Sequence, residues 1–113
     1  MRARLAQSVR SEVKLVDVSI SFAQAVADVR TLRERDWRAT VGTPFVSSEG
    51  YADAADYLIV WGCREYLVGG DATYALLSNT VTFVSRSSGV IRDEQMTENL
   101  DKIDAMRPVR LTT

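Results

Sequence analysis

At 113 residues, with 46% hydrophobic and 26% charged side chains, the chain is long enough for one core without disulfide or metal staples. Its net charge of −1 gives no whole-molecule attraction to nucleic acid or anionic membrane, and no apolar run approaches the ~18 residues of a membrane span. Having no histidine and one cysteine, Cys63, excludes Ser-His-Asp and Cys-His catalysis, imidazole bases, an internal disulfide and a thiolate metal cluster.

The N-terminus, Met1-Arg2-Ala3-Arg4-Leu5, is basic, but no apolar signal core follows it, so a cytoplasmic location is expected. Leu5, Val9, Val13 and Val16 keep helical spacing, whereas Val16, Val18 and Ile20 alternate as in a strand. Residues 1–18 are therefore read as a loose arm or short helix. Ser21 and Gln24 form a Ser-x-x-Gln capping pair, which starts a helix over Phe22–Asp36. Phe22, Ala25, Val26, Val29 and Leu32 recur at three- and four-residue steps and form its buried stripe, with Val29 and Leu32 beneath it. Trp37 is expected to pack back onto the core.

Pro44 cannot donate to a ladder, so a strand through Phe45-Val46 is expected to be broken or at an edge. A solvated acidic loop over Ser47–Asp56 comes next. Strands are expected at Asp56–Trp61, Arg64–Val68, Tyr74–Leu77 and Val81–Ser85, with a continuation at Val90–Arg92. Tyr57, Ile59 and Trp61 share one face at period two and are assigned to the core. Gly62-Cys63 is read as a bulge within a long strand, Gly69-Gly70-Asp71 as a turn, and Arg86-Ser87-Ser88-Gly89 as a tight hairpin loop. Met96, Leu100, Ile103 and Met106 fall at helical steps, and Pro108 stops that C-terminal helix.

Candidate chemistry is sparse. Asp53 and Asp56 stand three apart but lack the further oxygen ligands a cation site needs, and Gly69-Gly70 lacks the Lys-Ser/Thr of a phosphate loop. Cys63 in an apolar run is a buried small hydrophobe. No cofactor or metal is expected. The segment Glu49 to Asp71 holds Glu49, Asp53, Asp56, Glu65 and Asp71 against Arg64 alone, with Tyr51 and Tyr66 as aromatic anchors and Tyr74 just beyond. Those nine residues are the candidate partner-binding surface, since aromatic anchors dominate interface energetics and acidic charge steers a cationic partner.

The run from Asp56 to Gln95, with its aromatic strand Tyr57–Trp61 and its closing Val84-Ser85-Arg86-Ser87-Ser88-Gly89-Val90, resembles the YrhB-like group of immunity proteins encoded beside bacterial polymorphic toxins. That group's signature has an Asp where Ser85 stands here and one serine fewer. The resemblance implies one non-enzymatic α+β domain over residues 1–113: an antiparallel sheet of four or five strands, the N-terminal helix across one face and a C-terminal helix. It would bind a cognate toxin domain and cover its active site, without nucleic acid or membrane, and a homodimer is left open. The alternatives are a small α+β domain with a ligand or enzyme pocket between helix and sheet, and a nucleic-acid regulator using the Arg-rich N-terminal third. Interleaved acids such as Glu12, Asp17 and Asp28 dilute that basic stripe.

Overall fold

A computed structural model describes residues 19–37, 42–75 and 79–112. The reading of residues 1–18 lies outside the described residues. Helix α1 (Phe22–Asp36) begins where the capping residue predicts. Ser21 Oγ accepts from Gln24 N at 3.0 Å. The capping box is only half formed, because the Gln24 side chain donates to Asp28 instead of returning to the cap. Arg33 and Arg35 in the last turn complement the helix dipole.

Five antiparallel strands follow: β1 (Pro44–Ala52), β2 (Asp56–Cys63), β3 (Thr80–Ser85), β4 (Ile91–Gln95) and β5 (Arg107–Arg110). Their spatial order is β4-β3-β2-β1-β5. A one-turn helix α2 (Arg64–Leu67) follows β2, and α3 (Leu100–Ala105) precedes β5. The fold is thus α+β, with helices at both ends of the chain packed on one antiparallel sheet.

The two faces of the sheet are covered unequally. On one, α1 places Ala25, Val26 and Val29 over Val46, Ala52, Tyr57, Ile59 and Val84, with Trp61 packed at the margin. Gly50 permits this contact: a Cβ there would stand 3.1 Å from the Phe22 ring and 2.4 Å from Leu58 O. On the other face, α3 supplies Ile103, which together with Met106 seals only Leu58, Phe83 and their neighbours. Leu32 is half-buried, because the helix turns it to the flank of the stripe.

Several expectations change. Arg64–Val68 is not a strand: Arg, Glu and Leu favour helix, and α2 closes with Gly70 at φ 74°, whose N–H donates to Tyr66 O. Gly69-Gly70 does form a turn, and it leads to a 3₁₀ segment at Ala72–Tyr74; of the strand expected over Tyr74–Leu77, Tyr74 closes this segment and residues 76–77 lie outside the described residues. Pro44 opens β1 at a half that is locally an edge, as expected, because β5 pairs only with Glu49–Ala52, and β1 is irregular between Val46 and Gly50; the second half of the same strand lies inside the sheet. The expected acidic loop is mostly β1, leaving residues 53–55 as the turn. Gly62 and Cys63 close β2 without a bulge, and the irregularity lies instead in β1. The C-terminal helix is shorter than its apolar spacing implies, and Pro108 sits inside β5.

The Arg86–Gly89 hairpin is as expected. Gly89 adopts φ 77°, its N–H donates to Ser85 O, and Ser85 N donates to Val90 O, so two residues oppose one in a glycine bulge.

Candidate functional site

The less covered face holds the site, and an irregularity in β1 creates it. Val46 pairs with Trp61 and Gly50 with Ile59, so four steps along β1 match two along β2. Ser47, Ser48 and Glu49 therefore oppose Val60 alone. The surplus bends β1 away from Val60 and opens a groove of about 490 Å³ lined by Ser47, Glu49, Tyr51, Val60, Pro108 and Arg110. Val60 also borders an apolar hollow of about 290 Å³ reaching Val81, Met96, Leu100 and Ile103. Tyr51 at 41% exposure, Met96 and Leu100 are among the large apolar side chains left to solvent.

Charge frames this trough. Glu49 and Arg110 are directly opposed across β1 and β5. Leu111 N donates to Ser48 O, which sets the alternation and makes Glu49–Arg110 a non-hydrogen-bonded pair, the kind whose side chains come closest. Neither side chain forms an ion pair among the described residues, so both charges remain available.

Asp53 and Asp56 are committed elsewhere. Asp53 Oδ1 accepts from Ala55 N at 2.9 Å and Asp56 N at 2.8 Å, building the β1–β2 turn. Asp56, only 4% exposed, takes both Arg92 Nη1 and Nη2 at 2.8 Å, and Lys102 Nζ reaches Asp53 at 2.7 Å and Asp56 at 2.9 Å. Arg92 also binds Glu94, and both cations lie over the Phe83 ring. The clasp thus ties the β1–β2 turn, β4 and α3 together. The bidentate Arg92 bond lowers the Asp56 carboxyl to about 2 against desolvation, with Lys102 adding to it. Burial works to raise Asp53, but bonds from Lys102, Asp56 and Ala55 outweigh it and leave it lowered. These acids are fixed counter-ions, not a solvated docking loop, and neither is poised to take a proton at neutral pH.

The remaining predicted residues sit at the other end of β2, roughly 23 Å away at ~3.3 Å per strand residue. Glu65 accepts from Thr43 N and Oγ1, both at 3.0 Å, and its carboxyl is lowered by its own amide and that of Thr43. Arg64 lies over the Phe45 ring, Asp71 caps the 3₁₀ segment by accepting from Thr73 N, and Tyr74 packs near Gly42. Tyr66 is exposed. Of the nine residues, the structure therefore brings Glu49 and Tyr51 into the groove and distributes the others to the clasp and the α2 end. Sequence reasoning passed over Val60, Pro108 and Arg110. The period-two spacing of Val109 and Leu111 was the signal for β5, obscured by reading Pro108 as a helix stop.

Burial pushes the Cys63 thiol up, away from a reactive thiolate. Among the described residues, no group of three or more Cys, Asp or Glu could hold a metal ion, and no helix is long and apolar enough to cross a membrane. Compared with known proteins, the chain matches no family model, no curated sequence and no solved structure.

Proposed function

We propose that this chain is a non-enzymatic immunity protein that binds a cognate bacterial toxin domain through the less covered face of its sheet and covers the toxin's active site. The observation behind this is the unequal covering of the two faces: α1 seals one, while the other keeps a bulge-opened groove with Tyr51 at its wall and two uncommitted charges at its rim. An aromatic wall with a polar rim is the arrangement that protein interfaces favour. A rigid sheet presents it with little ordering cost. The resemblance of the Asp56–Gln95 run to immunity proteins supplies the toxin as the partner class. The alternative pocket between helix and sheet receives no support, because Ala25, Val26 and Val29 fill that interface.

The test co-expresses the chain with the toxin domain encoded beside its gene and measures growth, then affinity with purified proteins. Rescue of growth is expected, and Tyr51→Ala should weaken binding at least tenfold, about 1.4 kcal/mol, while Tyr66→Ala leaves it unchanged. Failure to rescue overturns the immunity reading. Loss at Tyr66 with none at Tyr51 moves the docking surface to the α2 end.

A further inference from the structure

The apolar hollow beside the groove is bordered by charge of one sign. Val60 and Val81 form its floor on the less covered face, and Met96, Leu100 and Ile103 form its outer wall. Leu100 is 53% exposed and Met96 40%, so the wall stands in water. At about 290 Å³ the hollow lies just below the ~300–1,000 Å³ of small-molecule pockets, a size suited to one large side chain brought by a partner.

The same wall carries the charge. Between Met96 and Ala105 the chain has Glu98, Asp101 and Asp104 against Lys102 alone. Lys102 is spent on Asp53 and Asp56 in the clasp. The three acids are exposed and make no ion pair or side-chain hydrogen bond among the described residues. Asp104 stands one helical turn after Leu100 and therefore beside it, and Glu98 lies in the 3₁₀ turn that opens at Met96. No lysine or arginine lines the hollow. On the groove side, Glu49 and Arg110 face each other and add no net charge.

We infer that the hollow takes one large apolar side chain of the docking partner, flanked in that partner by lysine or arginine. The inference rests on the reading of this face as the docking surface and adds the chemistry of what docks there. An apolar side chain removes Met96 and Leu100 from water, while its basic neighbours meet Glu98, Asp101 and Asp104. Neutral or acidic neighbours would leave those carboxylates desolvated without a counter-charge or facing their own sign. Steering of a cationic partner then comes from this C-terminal ridge, not from Asp53 and Asp56, whose charges the clasp already neutralises.

The probe is the blocked peptide Arg-Lys-Phe-Lys-Arg, titrated into the methyl-labelled full chain, with Glu-Asp-Phe-Asp-Glu and Arg-Lys-Ala-Lys-Arg as controls. Shifts of the Met96, Leu100 and Ile103 methyls are expected, with at least fivefold weaker binding of each control. Leu100→Ala, and Glu98→Gln combined with Asp101→Asn and Asp104→Asn, should each weaken the first peptide at least fivefold. The comparison of peptides on the wild-type chain stands even if a variant folds poorly. Unmoved methyls, or equal binding of the three peptides, overturn the inference. Contacts from the Met96 or Leu100 methyl to residues 1–18 in the free chain, or shifts that grow with protein concentration alone, make this chain its own occupant and overturn it as well. The toxin domain separates the two readings. If it binds the wild-type chain and the triple variant leaves its association rate unchanged at low salt, the inference falls and the immunity reading stands. If it does not bind while the peptide preference holds, the immunity reading falls and the hollow keeps its basic, apolar partner.

Discussion

Asp56 accepts two hydrogen bonds from Arg92 and a contact from Lys102 while almost wholly shielded from water. Its carboxyl falls from the ordinary 3.8 to about 2, so the folded state favours the ionised form. A lowered folded value contributes stability that is present in full above about pH 4 and is lost as pH falls through about 2. The size is about 2 kcal/mol from the conversion of pKa shift to free energy, and Asp53 acts in the same direction. The melting temperature of the wild-type chain is therefore expected to drop between pH 4 and pH 2. Asp56→Asn should lower it at pH 7 and flatten that acid limb, as thermal melts followed by circular dichroism would show. The sequence displayed Asp56 only as the polar flank of an apolar strand. Its burial depends on Arg92, 36 residues away, and no local pattern encodes that pairing.

At the scale of elements, agreement follows the reach of the signal. The α1 boundaries were legible because cap and stripe lie within the helix itself. The Arg86–Gly89 hairpin was legible because one glycine at positive φ specifies it. Helix α2 was not, since Tyr66-Leu67-Val68 is as apolar as a strand, and the weak helix preference of Arg64, Glu65 and Leu67 decides only with the Glu65 bonds to Thr43 and the glycine stop. The packing of α1 gives a graded expectation. Val29 is 0% exposed, and Val29→Ala should cost about 2 kcal/mol as a lost transfer plus cavity term. Leu32, at the flank, should cost only about 1 kcal/mol on truncation to Ala, because part of its surface is already in water. Urea titrations of the two variants check the order, and a larger loss at Leu32 would contradict the packing described.

For the whole molecule, sequence period settled which residues face α1, yet could not foresee that the opposite face would be half covered. That outcome depends on α3 having only one and a half turns and on β5 completing the sheet after it. β5 also protects the fold: it pairs with the second half of β1 and sends Val109 and Leu111 into the α1-side core. Removing residues 107–113 should lower stability by about 2–3 kcal/mol from the apolar area re-exposed. It should also promote aggregation through the bared, glycine-containing edge of β1. Equilibrium unfolding and light scattering of the truncated chain measure both, and an unchanged midpoint would show that β5 is dispensable.

The surplus in β1 is an even number. Two additional residues leave the inward–outward phase of β1 the same before and after the irregularity, which is why Val46 and Gly50 both face α1 although the register has slipped between them. Excising a pair from Ser47–Glu49 would therefore flatten the groove while leaving both halves of the strand correctly oriented. Excising one residue would turn half the strand inside out. The groove is in this sense a modular insertion, able to lengthen or shorten by twos under the same core.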